Sequence, residues 1–348
     1  MENFNRHIVK VDTLVRQALI QLNDLAEDAI LFIVNHSDQL IGSLTDGDLR
    51  RGFINGLNLD TSLEKFIQKN PKYIKQGNFN IGEIIALRKE FIVIFPVINS
   101  RNEIINVVNF RHQKSYLPVD ALIMAGGRGE RLKPLTNDTP KPLLKVGDKP
   151  IIEHNIDRLN AYGIDDVWIS LRYLGSQIVS HFGSGAQKSI RINYVNENDP
   201  LGTAGALALV HNFVHDRILM MNSDLLTNID FEEFYLFFEE HDADLAVACI
   251  PYQVNVPYAV METDNHVVTG FKEKPTYTHY SNAGIYLMKR EVAEMVPSNQ
   301  HFNATDLMEN LINDGKKVVS YPFTGYWLDI GRHEDFEKAQ RDIHNLKL

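Results

Sequence analysis

Along the last two thirds of the chain, short apolar runs alternate with longer segments in which apolar residues recur every third or fourth position. The runs at 121–125, 166–171, 191–195, 217–221, 244–250 and 318–321 read as buried strands. The segments 151–161, 175–182, 204–214 and 231–241 carry the helical period. Strands and helices in strict alternation predict an α/β fold with a mixed, mostly parallel sheet covered on both faces. Ligands of such a sheet gather beyond the carboxyl ends of its strands.

The first 115 residues follow a different rhythm. The stretch Ile33-Val-Asn-His-Ser-Asp-Gln-Leu-Ile-Gly-Ser-Leu44 aligns with Val97-Ile-Asn-Ser-Arg-Asn-Glu-Ile-Ile-Asn-Val-Val108, matching Asn35 to Asn99 and Asp38 to Asn102. Each copy reads as strand, tight turn, strand, preceded by a helical pattern at 14–25 or 81–88. A half this small cannot bury its own sheet face, so repeats at about 10–65 and 66–115 are expected to pack as one smaller α/β domain. The polar, proline-containing segment 111–118 reads as a linker to a second domain at 119–348.

At 348 residues, the length suits two domains. The net charge of −10 argues against nucleic acid or an anionic membrane as a partner. A single cysteine, Cys249, sits in an apolar run and reads as a buried structural thiol. With no apolar leader and no stretch of 18 apolar residues, the expected location is the cytoplasm.

The first strand of the second domain runs into Ala125-Gly-Gly-Arg-Gly-Glu-Arg-Leu-Lys-Pro134. Glycines after a buried strand let backbone N–H groups approach a phosphate; the alternative is a flexible turn with solvated basic residues. The segment lacks the Lys-Ser/Thr ending of a Walker loop and the third small residue of a dinucleotide fingerprint. Lys141, held between Pro140 and Pro142, adds a positioned cation suited to a phosphoryl transition state.

These residues, with Thr139-Pro-Lys-Pro-Leu-Leu144, Pro200-Leu-Gly-Thr-Ala-Gly-Ala206, Asn222-Ser-Asp224, Phe271-Lys-Glu-Lys-Pro275, Ser281-Asn-Ala-Gly-Ile-Tyr286 and Trp327-Leu-Asp-Ile-Gly331, resemble the sugar-1-phosphate nucleotidyltransferase family across 120–335. The resemblance implies a Rossmann-like domain that joins a nucleoside triphosphate to a sugar 1-phosphate and releases pyrophosphate. It assigns Ala125, Gly126, Gly127, Gly129, Glu197, Gly202 and Thr203 to the nucleotide. Arg131 is assigned to the leaving pyrophosphate and Lys141 to the α-phosphate or the sugar phosphate. It gives Asp224 and Asp329 to magnesium, although either aspartate alone also reads as a turn or cap residue.

For the sugar, the resemblance implies Tyr258, Ala259, Glu273, Lys274, Asn282 and Gly284, with Lys274 on the sugar's phosphate. Ala259 stands where relatives usually have glycine, and a Lys-Glu-Lys run otherwise reads as a solvated face. Glu197 bears on the base. An ionised carboxylate only accepts hydrogen bonds, which suits guanine's N1–H and exocyclic amine and opposes the carbonyl oxygens of uracil or thymine. GTP is therefore the expected nucleotide, with uridylyl, thymidylyl or cytidylyl transfer as the rival; Glu197 also reads as a solvent-exposed loop carboxylate.

The repeat, with Gly42-Ser-Leu-Thr-Asp-Gly-Asp-Leu-Arg-Arg51, resembles a pair of cystathionine-β-synthase (CBS) motifs. That implies an adenine nucleotide at Thr45, Asp46 and Asp48, or an oligomerising role, and a homo-oligomer; Asp46 and Asp48 also read as helix caps. The fusion resembles bacterial enzymes of surface-sugar synthesis, including legionaminic acid synthesis, which implies glucosamine 1-phosphate as the sugar phosphate, with mannose 1-phosphate or a heptose 1-phosphate as alternatives. A non-catalytic ligand-sensing subunit is the competing class. His211 and His215 have metal-ligand spacing on the expected 204–214 helix and its edge, but without a third ligand they read as ordinary helix histidines.

Overall fold

The computed structural model describes residues 4–77 and 79–346. These form two compact units, one of the described residues up to 118 with 161–163 and 186–189, the other of 119–160, 164–185 and 190–346.

In the first unit, β1 (Ile8–Lys10) leads to α1 (Val15–Leu25), then to the hairpin of β2 (Ile30–Val34) and β3 (Leu40–Thr45), α2 (Asp46–Ile54) and β4 (Gln68–Lys69). The second copy runs β5 (Ile74–Lys75), α3 (Ile81–Lys89), β6 (Ile94–Ile98) and β7 (Ile104–Asn109). In each copy the first strand pairs parallel with the strand after the helix, and that strand pairs antiparallel with its hairpin partner. Val15, Ala18, Leu22 and Leu25 of α1 close over Leu31, Ile33 and Leu44 of the first sheet.

The two hairpin turns are built alike. Asn35 Oδ1 accepts from the backbone N–H groups of Ser37 and Gln39, and Asn99 Oδ1 from those of Arg101 and Glu103. Asp38 and Asn102 both have a φ of 62°, a left-handed conformation that Asp and Asn tolerate better than most side chains. The turns also meet: Leu40 N–H donates to the Asn102 carbonyl at 2.9 Å, and Gln39 Nε2 to the Arg101 carbonyl at 3.1 Å.

The second unit is organised around a seven-stranded sheet. Its elements in chain order are β8 (Asp120–Met124), the small hairpin β9 (Lys145–Val146) and β10 (Lys149–Pro150), α4 (Ile151–Ala161), β11 (Asp166–Leu171), α5 (Gly175–Phe182) and β12 (Arg191–Asn196). Next come β13 (Arg217–Asn222), β14 (Leu225–Thr227), α6 (Phe231–Glu240), β15 (Leu245–Asn255), β16 (Val260–Asp264), β17 (Val267–Lys272) and β18 (Thr276–Lys289). The chain ends with α7 (Arg290–Glu294), α8 (Ala304–Asn313), β19 (Val318–Pro322), β20 (Trp327–Asp329) and α9 (His333–Asp342).

The sheet order is β12-β11-β8-β13-β18-β15-β19. β12, β11, β8 and β13 are mutually parallel, β18 is antiparallel to both neighbours, and β15 is parallel to β19. The sheet is thus mixed and mostly parallel, as the alternation predicts. The chain builds outward from β8 to β11 and β12, then returns to β8's other side as β13. Such a reversal opens a crevice at the carboxyl ends of the strands. Among the described residues, no helix is long and apolar enough to cross a membrane.

Three expectations need correction. The stretch 204–214 is not an α-helix: only Gly205–Leu209 turns, as a 3-10 helix. Its amides are committed elsewhere, those of Ala204 and Gly205 to the Phe302 carbonyl and those of Val214 and His215 to the buried Asp120 carboxylate. His211 and His215 are accordingly not helix residues. The strand expected at 244–250 continues to Asn255 and pairs with β18 from Cys249–Asn282 out to Asn255–Thr276. That extension carries 251–280 away from the core with both faces exposed, so no hydrophobic alternation marks it.

Candidate functional site

An open cleft of about 440 Å³ lies at the carboxyl ends of the parallel strands. That volume falls within the range of small-molecule sites. Gly126, Gly127, Gly129 and Arg131 line it from the segment after β8, and Lys141 and Pro142 from the Pro-Lys-Pro turn. Arg172 enters after β11, Glu197 after β12, and Asn222, Ser223 and Asp224 from the end of β13. Gly202, Thr203 and His301 form another wall, where Phe302 N–H donates to the Leu201 carbonyl and ties the two loops together.

The glycine loop is shaped by its neighbours. Gly129 has φ of 63°, and a Cβ there would lie 2.9 Å from Lys141 Cβ and 3.0 Å from Thr136 Cγ2. Its missing side chain therefore lets Lys141 and the loop close on each other. Gly127 has open space on that side, the room a ligand needs to reach the backbone. Ala125 is fully buried and its N–H is spent on the Ser170 carbonyl at 3.0 Å, so it supports the loop from beneath.

Lys141 Nζ is ion-paired to Asp224 Oδ2 with both side chains mostly buried. Asp329 stands beside this pair. β14 and β20 pair Leu225 with Asp329, and the Ile330 N–H donates to the Asp224 carbonyl at 3.0 Å. Asp329 Oδ1 is buried with no hydrogen-bond partner among the described residues. Burial, and then the charge of Asp224, push the Asp329 carboxyl above its usual range, against the pull of Lys141 and Arg131. An unsatisfied buried carboxylate oxygen beside a second carboxylate is a donor set that fits a hard divalent cation such as magnesium. Arg131 packs on the same corner, its Nη2 3.1 Å from where a Cβ on Gly331 would stand.

Glu197 is 7% exposed and is not a solvated loop carboxylate. Its Oε1 accepts from the Ser170 hydroxyl and its Oε2 from the Leu201 N–H at 3.2 Å. A Cβ on Gly126 would lie 2.9 Å from Oε1, so the carboxylate sits directly against the glycine loop.

The expected sugar residues divide. Asn282 and Gly284 lie on β18 near the cleft: Gly284, with φ of 71°, packs where a Cβ would meet Asn222 Nδ2 at 2.6 Å, and Asn282 Oδ1 accepts from the Gly284 N–H. Tyr258, Ala259, Glu273 and Lys274 do not line the cleft, because they lie beyond the exposed extension of β15 and β18, in the segments leading to and from the β16–β17 hairpin. In the first unit, Thr45 and Asp48 form a reciprocal capping box at the start of α2, and Asp48 pairs with Arg51. Asp46 opens the same helix.

Arg172, Asn222 and His301 line the cleft without having been singled out from sequence. A lone Arg, Asn or His after a strand or in a loop has no spacing to mark it. Only Asn222 lay inside a recognised block. At the opposite, amino ends of the strands, Asp120, Asp166 and His215 bring ligand-type atoms within 4.8 Å of one another. Those atoms already have protein partners. Asp120 takes two backbone N–H groups and His215 Nδ1, and Asp166 takes Arg191 at 3.0 Å.

Residues 120–345 match the family described as nucleotidyl transferase. The mannose-1-phosphate guanylyltransferase of Mycobacterium tuberculosis is 31% identical over 231 residues, covering 65% of this chain and 64% of that protein. This chain thus spans less than two thirds of that relative's length. The D-glycero-alpha-D-manno-heptose 1-phosphate guanylyltransferase of Aneurinibacillus thermoaerophilus is 29% identical, with 65% of this chain and 99% of that protein aligned. Among solved structures, HddC from Yersinia pseudotuberculosis complexed with GMP-PN superposes with a TM-score of 0.51 at 25% identity, covering 64% of this chain and 99% of the other.

Proposed function

The chain belongs to the nucleotidyl transferase family, and on that premise we propose that it transfers a nucleoside monophosphate from a nucleoside triphosphate to a sugar 1-phosphate. GTP is the nucleotide and glucosamine 1-phosphate the sugar phosphate, with mannose 1-phosphate and heptose 1-phosphate as the neighbouring choices. The observation that carries the reaction is the meeting of the glycine loop, Lys141 and Asp224 in one cleft, with Asp329 fixed beside Asp224 by the β14–β20 pair.

A sugar-phosphate oxygen attacks the α-phosphorus in line. The bond from that phosphorus to the bridging oxygen breaks, and its electron pair leaves with pyrophosphate. The attacking oxygen is already ionised at neutral pH, so neither a protein nucleophile nor a strong base is needed. Backbone N–H groups at Gly126, Gly127 and Gly129 hold the phosphates, and Arg131 meets the leaving group. Lys141 is positioned by Gly129 and Asp224 to stabilise charge on the reacting phosphates. A magnesium ion held by Asp224 and Asp329 would neutralise phosphate charge. Keeping this whole charged set in one cleft favours an enzyme over a non-catalytic sensor.

The carboxylate of Glu197 against Gly126 is what favours guanine. Lone pairs left on its oxygens accept from guanine's N1–H and exocyclic amine, whereas a pyrimidine carbonyl would face like charge. We assign the product to bacterial surface-sugar synthesis of the legionaminic acid kind, and the first unit to regulation by an adenine nucleotide or to assembly into a homo-oligomer. Pyrophosphate release measured for four nucleoside triphosphates against several sugar 1-phosphates, with and without AMP or ATP, tests the reading. GTP should be preferred at least tenfold; a preference for UTP or dTTP overturns it.

A further inference from the structure

Three neighbouring strands deliver a row of residues to the cleft. β8 and β11 pair Met124 with Ser170, and β11 and β12 pair Leu171 with Asn196. Carrying that register past the strand ends sets Gly126 beside Arg172 and Arg172 beside Glu197. The hydrogen bonds agree: Glu197 N–H donates to the Leu171 carbonyl at 2.8 Å, and Arg172 Nε to the Gly126 carbonyl at 3.4 Å. A Cβ on Gly126 would stand 3.5 Å from Arg172 Cβ and 2.9 Å from Glu197 Oε1.

Arg172 is half-buried and lines the cleft, yet its guanidinium is paired with no carboxylate among the described residues. Among the described residues its protein acceptor is the Gly126 carbonyl, met by Nε. Among the described residues the Nη groups meet no protein acceptor, and they lie beside a carboxylate whose ability to accept is not exhausted. A cation that is not needed to balance Glu197 is available to a ligand.

We propose that Arg172 is a specificity-determining residue that donates to the O6 and N7 edge of guanine while Glu197 accepts from its N1–H and exocyclic amine. Guanine presents two acceptors on one edge and two donors on the next, and the planar fork of arginine is the side chain that matches O6 and N7 together. Uracil and thymine offer neither edge. Adenine has N7 but carries an amine where guanine has O6, and that amine opposes the arginine. The arginine and glutamate thus read one base from two sides, with Gly126 leaving room between them.

The proposal rests on the guanylyl reading, and the test separates the two. Calorimetry measures binding of GTP, 7-deaza-GTP and UTP to the full-length enzyme and to its Arg172→Gln and Arg172→Lys variants. 7-Deaza-GTP removes only the N7 acceptor. The wild type should bind it about tenfold more weakly than GTP, the scale of one charge-assisted hydrogen bond. Arg172→Gln should lose at least that factor on GTP, show little further loss on 7-deaza-GTP and leave UTP unchanged. Arg172→Lys should recover part of the GTP affinity. Equal wild-type affinity for GTP and 7-deaza-GTP overturns the Arg172 assignment even if no variant folds. Equal weakening of GTP and UTP by Arg172→Gln also overturns it, in favour of a triphosphate contact. In both cases a GTP preference would leave the guanylyl reading standing. A wild type that prefers UTP or dTTP sinks both.

Discussion

Asp329 stands across the β14–β20 pair from Leu225, the residue after Asp224, so two carboxylates distant in sequence are fixed side by side. Asp329 Oδ1 has no hydrogen-bond partner among the described residues, and Lys141 is committed to Asp224 Oδ2. Without a cation the pair is held together against its own repulsion. Magnesium or manganese should therefore raise the melting temperature of the wild type by about 2–4 °C per kcal/mol of linked binding. Asp329→Asn, which removes one of the two charges, should melt no lower than the cation-free wild type. It should lose the cation-induced gain and roughly 100-fold or more of the transferase rate. A variant that keeps both would remove Asp329 from the metal site.

Gly129 and Gly127 look equivalent in sequence and differ in structure. A Cβ on Gly129 meets Lys141 and Thr136 and must sit at positive φ, whereas one on Gly127 meets nothing within 4 Å. Gly129→Ala should cost about 1–3 kcal/mol of stability and lower the rate by displacing Lys141. Gly127→Ala should melt like the wild type and weaken nucleotide binding alone. Melting curves and calorimetry on the pair separate a loop shaped by the protein from one shaped for a ligand.

Much of the site was legible because its residues lie in short blocks whose chemistry is local. The glycines and Asp224 fall at strand ends that the apolar runs already mark, and Lys141 is set off by the prolines on either side of it. Asn35 and Asn99 could be matched because each makes the same pair of bonds two and four residues on. Arg172 was not legible: its meaning comes from the register that sets it between Gly126 and Glu197, and register is a relation between strands. The 204–214 stretch misled for a similar reason. Its apolar spacing is helical, but the buried Asp120 carboxylate claims the Val214 amide that would close the last turn. The exposed extension of β15 and β18 carries no buried face, so nothing in its pattern announced two long strands.

The cluster at the amino ends of β8 and β11 makes stability depend on pH. Burial alone would lower the His215 pKa, but the hydrogen bond and charge of Asp120, with Asp166 and Asp165 beyond it, outweigh burial and raise it. A raised histidine stabilises the fold fully below its unfolded pKa, and the effect fades as pH rises through the folded value. His215→Asn should thus lower the melting temperature more at pH 5.5 than at pH 9.

Asp165 in the same cluster is pushed up to about 6 by burial and then by Asp166. The folded state holds that proton more tightly than the unfolded chain, so stability falls as pH climbs from the ordinary carboxylate range through about 6. Asp165→Asn should flatten this fall and raise the melting temperature at pH 7.5 while changing it little at pH 4. A uniform shift at every pH would mean that packing, not charge, sets the effect.

The exposed extension is where the sugar end of the site meets its hardest test. Tyr258 is 75% exposed, and Tyr252, Phe271 and Tyr280 are exposed with it, while Lys274 and Glu273 ride on the same segment outside the cleft. If these residues hold the sugar phosphate, the extension must move toward Asn282 and Gly284 when that ligand binds, and its aromatic residues must lose contact with water. Chymotrypsin should then cut the free enzyme within 252–280, and GTP alone should leave that cleavage unchanged. Sugar 1-phosphate added with GTP in the absence of divalent cation, so that no turnover occurs, should slow it severalfold. Lys274→Ala should remove the protection and raise KM for the sugar phosphate, with GTP affinity unaltered. Protection that survives in Lys274→Ala would show closure without that contact. Cleavage indifferent to the sugar phosphate in the wild type would mean that the extension does not close, and that the sugar is held by residues of the cleft itself.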